Sequence, residues 1–186
     1  MKRLLTGLVF LAILGSFTAC ENPGGSEDLE ILTPTNPGSI SFMYQTVHTQ
    51  QYVLGTWTSN IEYPVVTIIS SGLELEQYHN DYEDKYDFLR HQHSTNGFMD
   101  AIERYSDAFF ADSFLVLVLL EETSGFIRHR VERIDENGDI VITRLVSDGP
   151  ITADMAQWHI IIELEKTTDL QAKNYNVVFL DSLVDG

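Results

Sequence analysis

Cysteine is nearly missing from this 186-residue chain, which holds one, Cys20. A single thiol excludes an intrachain disulfide framework, so an exported form must be stable through its core alone. Basic residues are scarce too: 11 Lys and Arg stand against 28 Asp and Glu, a formal net charge of -17. A chain this acidic is repelled by phosphate backbones and gains nothing from anionic lipid surfaces, which excludes nucleic acid as an expected partner. No apolar run reaches the roughly 20 residues that a membrane-spanning helix needs. No internal repeat is visible, so a solenoid is not expected. The 44% hydrophobic content, in turn, excludes wholesale disorder.

What is present begins with an address. Lys2 and Arg3 open the chain, residues 4–14 are apolar apart from Thr6 and Gly7, and small residues lead to the sole cysteine. This is the layout of a bacterial export signal. Phe17-Thr18-Ala19-Cys20 resembles a lipobox, with Phe17 where Leu, Val or Ile is usual. The resemblance implies that residues 1–19 are a lipoprotein signal peptide and that Cys20 becomes the lipidated first residue. The protein would then be held by that lipid on the extracytoplasmic side of a bacterial cell membrane or outer membrane. Loss of Lys2 and Arg3 leaves nine bases against 28 acids. Residues 20–39, with Pro23, Gly24, Gly25, Ser26, Pro34, Pro37 and Gly38, read as the lipidated cysteine and a flexible tether. The remaining 40–186 has the length of one domain.

Strand patterns dominate that domain. Ile40, Phe42 and Tyr44 alternate with polar neighbours, and residues 65–69 form a β-branched run. Ser70 and Ser71 offer an N-cap for a short helix over 73–78, and residues 79–95 read as a polar loop. Phe98, Ile102 and Tyr105 at helical spacing predict an amphipathic helix over 97–106. Residues 114–120 are wholly apolar, as in a buried central strand. Segments 126–134 and 140–145 flank Asp135-Glu136-Asn137-Gly138, a hairpin signal. Trp158, Ile160, Ile162 and Leu164 mark another strand, and Tyr175, Val177 and Phe179 a last one. The fold class is α+β, with a largely antiparallel sheet of about six or seven strands and two short helices; the second half lacks the helices that parallel crossovers need.

The order of Asp107-Ala108-Phe109-Phe110-Ala111-Asp112, the apolar strand after it, Thr123-Ser124-Gly125 and the strand over 126–134 resembles the C-terminal domain of PrcB-like proteins. These are exported lipoproteins named for a subunit of a spirochaete surface protease complex. Asp154-Met155-Ala156-Gln157-Trp158-His159 is similar to a stretch of uncharacterised lipoproteins of Gram-positive anaerobes. The resemblance covers roughly 98–179. It departs from the PrcB pattern in having only Gly125 in the turn, without a second glycine. It implies an accessory role in a protease or other envelope complex, and no catalytic residues.

Several constellations bear on chemistry. Ser124 lacks both a Gly-x-Ser-x-Gly elbow and a neighbouring His, so Ser124-Gly125 reads as a tight turn, with Gly125 at positive φ and the turn as a contact tip. His91 and His93, at i and i+2, can share one face of an extended segment, with Asp81, Glu83, Asp84 and Asp87 upstream. They match no established metal motif, and they define the alternative of a metal-binding enzyme or sensor. His129 shares a face with Ile127 and Val131, and His159 lies opposite Trp158 and Ile160; each reads as a hydrogen-bonded core histidine, oriented by a group such as Asp154 or Glu163. The two could also meet across the sheet as an acid/base or metal centre. Arg128, Arg130, Arg133 and Arg144, four of the nine mature bases, fall in one hairpin. They suit an anionic partner, or else cross-strand pairing with Glu132, Glu121, Glu122, Glu163 and Glu165. Tyr44, Tyr52, Trp57 and Tyr63 suit a sheet core or a glycan contact; a glycan or small-ligand binder would show a concave aromatic pocket. The reading is a non-catalytic, lipid-anchored interaction module with no cofactor and an envelope protein as partner.

Overall fold

Seven consecutive apolar side chains over 114–120 require a strand that is covered on both faces. The computed structural model of the chain meets that requirement with three layers. It describes residues 30–32, 39–51, 61–89, 94, 96–148 and 153–184. The expected export segment, Cys20, Tyr52, Trp57, His91 and His93 lie outside these.

In chain order the elements are β1 (Glu30–Leu32), β2 (Phe42–Gln51), β3 (Val65–Ile69), α1 (Gly72–Tyr82), β4 (Tyr86–Asp87), α2 (Phe98–Ile102) and α3 (Asp107–Asp112). They continue with β5 (Ser113–Glu122), β6 (Arg128–Ile134), β7 (Asp139–Ser147), β8 (Ala156–Glu165), α4 (Thr168–Gln171) and β9 (Asn176–Val184). The main sheet runs β1-β2-β8-β5-β3, all antiparallel, with β4 on the end of β2; the smaller sheet runs β6-β7-β9.

Side chains alternate across the main sheet, and each face has its own core. Leu115, Leu117, Leu119 and Ile161 pack under Leu75 and Tyr78 of α1, Phe98 of α2 and Phe110 of α3. Phe114, Val116, Val118 and Leu120 join Trp158, Ile160 and Ile162 on the other face, against Val131 and Ile134 of β6 and Ile140 and Ile142 of β7. The small sheet is therefore the lid of the second core, as the three helices are of the first.

The α+β class and the antiparallel bias are as the sequence predicts, and details differ, beginning with four short helices among the described residues where two are expected. The strands divide between two sheets, because one sheet offers only two faces and β5 and β8 need both covered. The helix over 97–106 is cut short: α2 ends at Ile102, Tyr105 turns inward, and after Ser106, whose backbone is extended, a second helix, α3, takes residues 107–112 that the pattern leaves unassigned. Residues 79–82 extend α1, which Ser71 caps by accepting from the Glu74 N–H at 3.2 Å. Within the expected tether, Glu30–Leu32 pair with the outer edge of β2.

One pair, β7 with β9, is parallel. The crossover that such a pair needs is supplied by β8, which leaves for the main sheet and returns through the single turn of α4. The hairpin between β6 and β7 forms where Asn137-Gly138 predicts it, but as a different turn. Only Gly138 has positive φ, 93°, and the Asp135 carboxylate accepts from the Asn137 and Asp139 N–H groups at 2.9 and 3.0 Å. Asn137 keeps negative φ, so this is not the mirror-image two-residue turn.

Gly138 is required twice over, by its φ and because a Cβ there would collide with the Asn174 carbonyl oxygen. Gly138→Ala should destabilise the protein by about 2 kcal/mol or more, through left-handed backbone cost plus displacement of the strand leading into β9. The shift of the chemical-denaturation midpoint measures it, and an unchanged midpoint would contradict this account of the turn.

Candidate functional site

Trp158 and His159 are neighbours on β8, and adjacent residues of a strand face opposite ways. Each anchors a buried polar constellation, one on either side of the main sheet.

His159 is fully buried under a ring of aromatic side chains, with Tyr78, Tyr86, Phe88 and Phe98 at centroid distances of 4.7–6.0 Å. Its Nδ1 lies 2.9 Å from Thr49 Oγ1 and its Nε2 lies 2.9 Å from Tyr78 Oη. Thr49 also donates to the Gln157 carbonyl at 3.4 Å, which leaves the hydroxyl free to accept from Nδ1–H. Tyr78 then donates to Nε2, so the network assigns the neutral Nδ1–H tautomer. Burial holds the imidazole pKa down at about 3 and pushes the Tyr78 phenol up, so neither ionises near neutrality. Further along this face, Tyr105 donates to Glu163 at 3.0 Å while Gln45 donates to Tyr105 at 3.0 Å, and Arg104 lies 3.4 Å from the same carboxylate. Glu163 is thus committed to Tyr105 and Arg104, and Tyr78 and Thr49 orient His159.

On the Trp158 face, Glu122 continues the row Phe114, Val116, Val118, Leu120 to the end of β5. Its Oε1 lies 2.9 Å from His129 Nε2, with both side chains buried, and Arg144 reaches its other oxygen at 3.9 Å. Arg144 also donates to Asp181 at 2.7 Å, which raises the guanidinium pKa. His48 and His129 flank the Trp158 ring at 5.3 and 5.5 Å, and Arg128 lies over it at 5.2 Å. The sequence pattern offers Glu122 only as an arginine partner; strand parity, which puts it on the Trp158 face, is the signal for its pairing with His129.

The two histidines do not meet. His129 packs on the Trp158 side of β8 and His159 on the opposite side, so the acid/base or metal centre between them is not formed. Among the described residues no group of three or more His, Cys, Asp or Glu side chains is arranged to hold a metal ion.

The turn at Ser124 and Gly125 differs from the expectation. Ser124 is 0% exposed, Gly125 is buried, and Gly125 does not have positive φ. The Ser124 hydroxyl accepts from the Phe126 N–H and donates to Asp154, both at 3.3 Å. A serine side chain that closes its own turn in this way leaves the glycine no left-handed role. The tip that faces solvent is Phe126, 51% exposed.

The four arginines divide. Arg130 pairs across from Thr143, Arg133 from Val141 and Arg144 from His129, so Arg144 faces the core side and Arg130 and Arg133 the outside. A bulge between Val131 and Arg133 is what turns Arg133 outward. Arg130 bonds Glu132 at 2.8 Å, and Arg128 donates to the Gly125 carbonyl. Tyr44 is core and Tyr63 bonds Tyr86 at 2.6 Å. An open cleft of about 400 Å³ lies between Val66 and Ile68 of β3 and residues 173–176; its one aromatic is Tyr175, so it is not the aromatic pocket of a glycan binder.

Because His159 stays neutral in the folded protein until about pH 3, the unfolded chain alone takes up a proton as the pH falls below 6.5. Stability should fall through that window by roughly 1.4 kcal/mol per pH unit from this group. Denaturation midpoints at pH 7, 6 and 5 should show the fall, and His159→Phe, less stable at pH 7, should flatten it. Parallel slopes in the two proteins would refute the assignment.

In comparisons with known proteins, no family model, no curated protein and no solved structure matches the chain.

Proposed function

We propose that the protein is a lipid-anchored, extracytoplasmic interaction module of the bacterial envelope, acting by contact with another envelope protein rather than by catalysis. The observation that carries this reading is the outer edge of the small sheet. There Phe126 stands exposed at the tip of a buttressed turn, and Arg130 and Arg133 project from β6 beyond it. An aromatic tip followed along one edge strand by guanidinium groups has the composition of a protein-contact surface. Glu132 is bonded to Arg130, and β6 as a whole still holds three arginines against that one acid on a chain of net charge -17. The export signal and the lipobox-like Phe17-Thr18-Ala19-Cys20 support the anchor. The resemblance to PrcB-like proteins favours a protease-complex accessory as the specific form of the module.

The burial of the interior polar groups supports the non-catalytic part. His159, Glu163 and Glu122 are bonded to fixed partners within the protein, His129 is bonded through Nε2 while its Nδ1 and the Trp158 Nε1 have no partner among the described residues, and all of them lie away from solvent.

The test is affinity capture from a detergent extract of the source envelope, with the full chain as bait. Wild type should enrich a specific envelope protein, and Phe126→Ala with Arg130→Ala and Arg133→Ala should reduce the yield about tenfold without changing the denaturation midpoint. Equal capture by the triple variant would remove this edge as the contact, and incorporation of labelled lipid unaffected by Cys20→Ser would remove the anchor.

A further inference from the structure

The small sheet has two edges of opposite character. β6, at one edge, carries Arg128, Arg130 and Arg133 and a bulge, and its end is closed by the Ile40 N–H, which donates to the Ile134 carbonyl at 2.9 Å. Outward charge, a bulge and a covering segment are the devices by which proteins prevent edge-to-edge pairing. Among the described residues β9, at the other edge, has none of them. It runs nine residues in unbroken register with β7, contains no Lys, Arg or Pro, and has one charged residue, Asp181, which Arg144 already holds.

β9 is also apolar on both faces. Leu180 and Leu183 are 46% and 79% exposed, and Val178 and Val184 are exposed too. On the core side Val177 and Phe179 are only partly buried, beside a cleft whose far wall is Val66 and Ile68 of β3. A strand that completes this edge must itself be apolar on both faces and free of unpaired charge. Among the described residues two sheet-edge strands meet that description, β3 with five residues and β9 with nine, and β9 is the longer and the more exposed.

We infer that β9 is a self-association edge, pairing antiparallel with β9 of a second copy about a two-fold axis at Leu180. Leu180 is the midpoint of Asn176–Val184, so this register pairs all nine residues. Leu180 meets its own copy and Val178 meets Ser182 on the outer face, while Val177 meets Leu183 and Phe179 meets Asp181 on the core face. Moving the axis to Asp181 would set like charges opposite each other, and a one-residue slip would put outward side chains against inward ones. The two small sheets become one continuous six-stranded sheet. The inference is independent of the lipid anchor and of the Phe126 edge.

Because each copy carries a net charge of -17, association should tighten as salt is raised, the reverse of an ion-paired interface. The experiment is sedimentation velocity of the full chain in density-matched detergent micelles at about 50 µM, with salt near one Debye length of 10 Å and near 3 Å. Wild type should sediment as a dimer, more completely at high salt. Leu180→Lys, which sets two ammonium groups at the axis, should weaken the dimer by at least ~10-fold. In a Cys20→Ser background, Leu180→Cys should form an intermolecular disulfide on oxidation. Val178→Cys and Ser182→Cys should cross-link when mixed and neither should do so alone. A monomeric wild type, a dimer indifferent to Leu180→Lys, cross-linking in another register, or a strand of a different protein found on β9 would each overturn the inference.

Discussion

The ladder between β5 and β8 is the constraint on which the other elements depend. Its ten pairs, from Ser113 with Glu165 to Glu122 with Ala156, join the two strands that are buried on both faces. Each apolar side chain hidden there is worth about 1.5–3 kcal/mol, and neither face can be left open without forfeiting half of the gain. The helices on one side and the small sheet on the other are the two covers. With a single cysteine, no disulfide framework shares the task. The three helices contribute mainly aromatic side chains to their core, and the small sheet contributes β-branched ones.

A ladder buried on both faces leaves little room for polar groups, yet it contains His159, Glu163 and Glu122. Each is tolerated because its bonds are made within a few ångströms: Thr49 and Tyr78 for His159, Tyr105 for Glu163, His129 for Glu122. Leaving any of them unsatisfied would cost on the order of 1–3 kcal/mol. These bonds tie β8 to β2 and α1 and to the segment between α2 and α3, and they tie β5 to β6. They cross from strand to cover, so they fix how each cover sits as well as satisfying the polar atoms. The same chemistry, open to a substrate, would suggest an active site; sealed, it selects one packing.

The two edges of the small sheet are unlike, and the two proposals use them differently. Guanidinium groups and a bulge disfavour strand pairing at β6, and the contact proposed there with Phe126 is one of side chains. β9 keeps an intact row of backbone donors and acceptors and an apolar surface, which suits main-chain pairing. Association through β9 leaves the β6 edge facing away from the two-fold axis, so one dimer could present two copies of the contact edge.

Periodicity made much of this legible. The unbroken apolar run of β5 demanded two covers, alternation marked β2, and Ser71 and Gly138 marked a cap and a turn, because each of these signals is local in sequence. The pattern behind the expected export signal is local in the same sense, and it lies outside the described residues. What only the tertiary structure decided is non-local. The strands split into two sheets, β9 pairs parallel to β7 across a detour through β8, and the bulge before Arg133 separates the arginines that the sequence had grouped. Glu122 and His129 are seven positions apart and meet because a turn brings β6 back over β5. His129 and His159, which looked equivalent on apolar strands, lie on opposite sides of β8. Strand parity gives a face to every side chain within a strand, but which face meets which neighbour is settled by packing, and packing depends on all the strands at once.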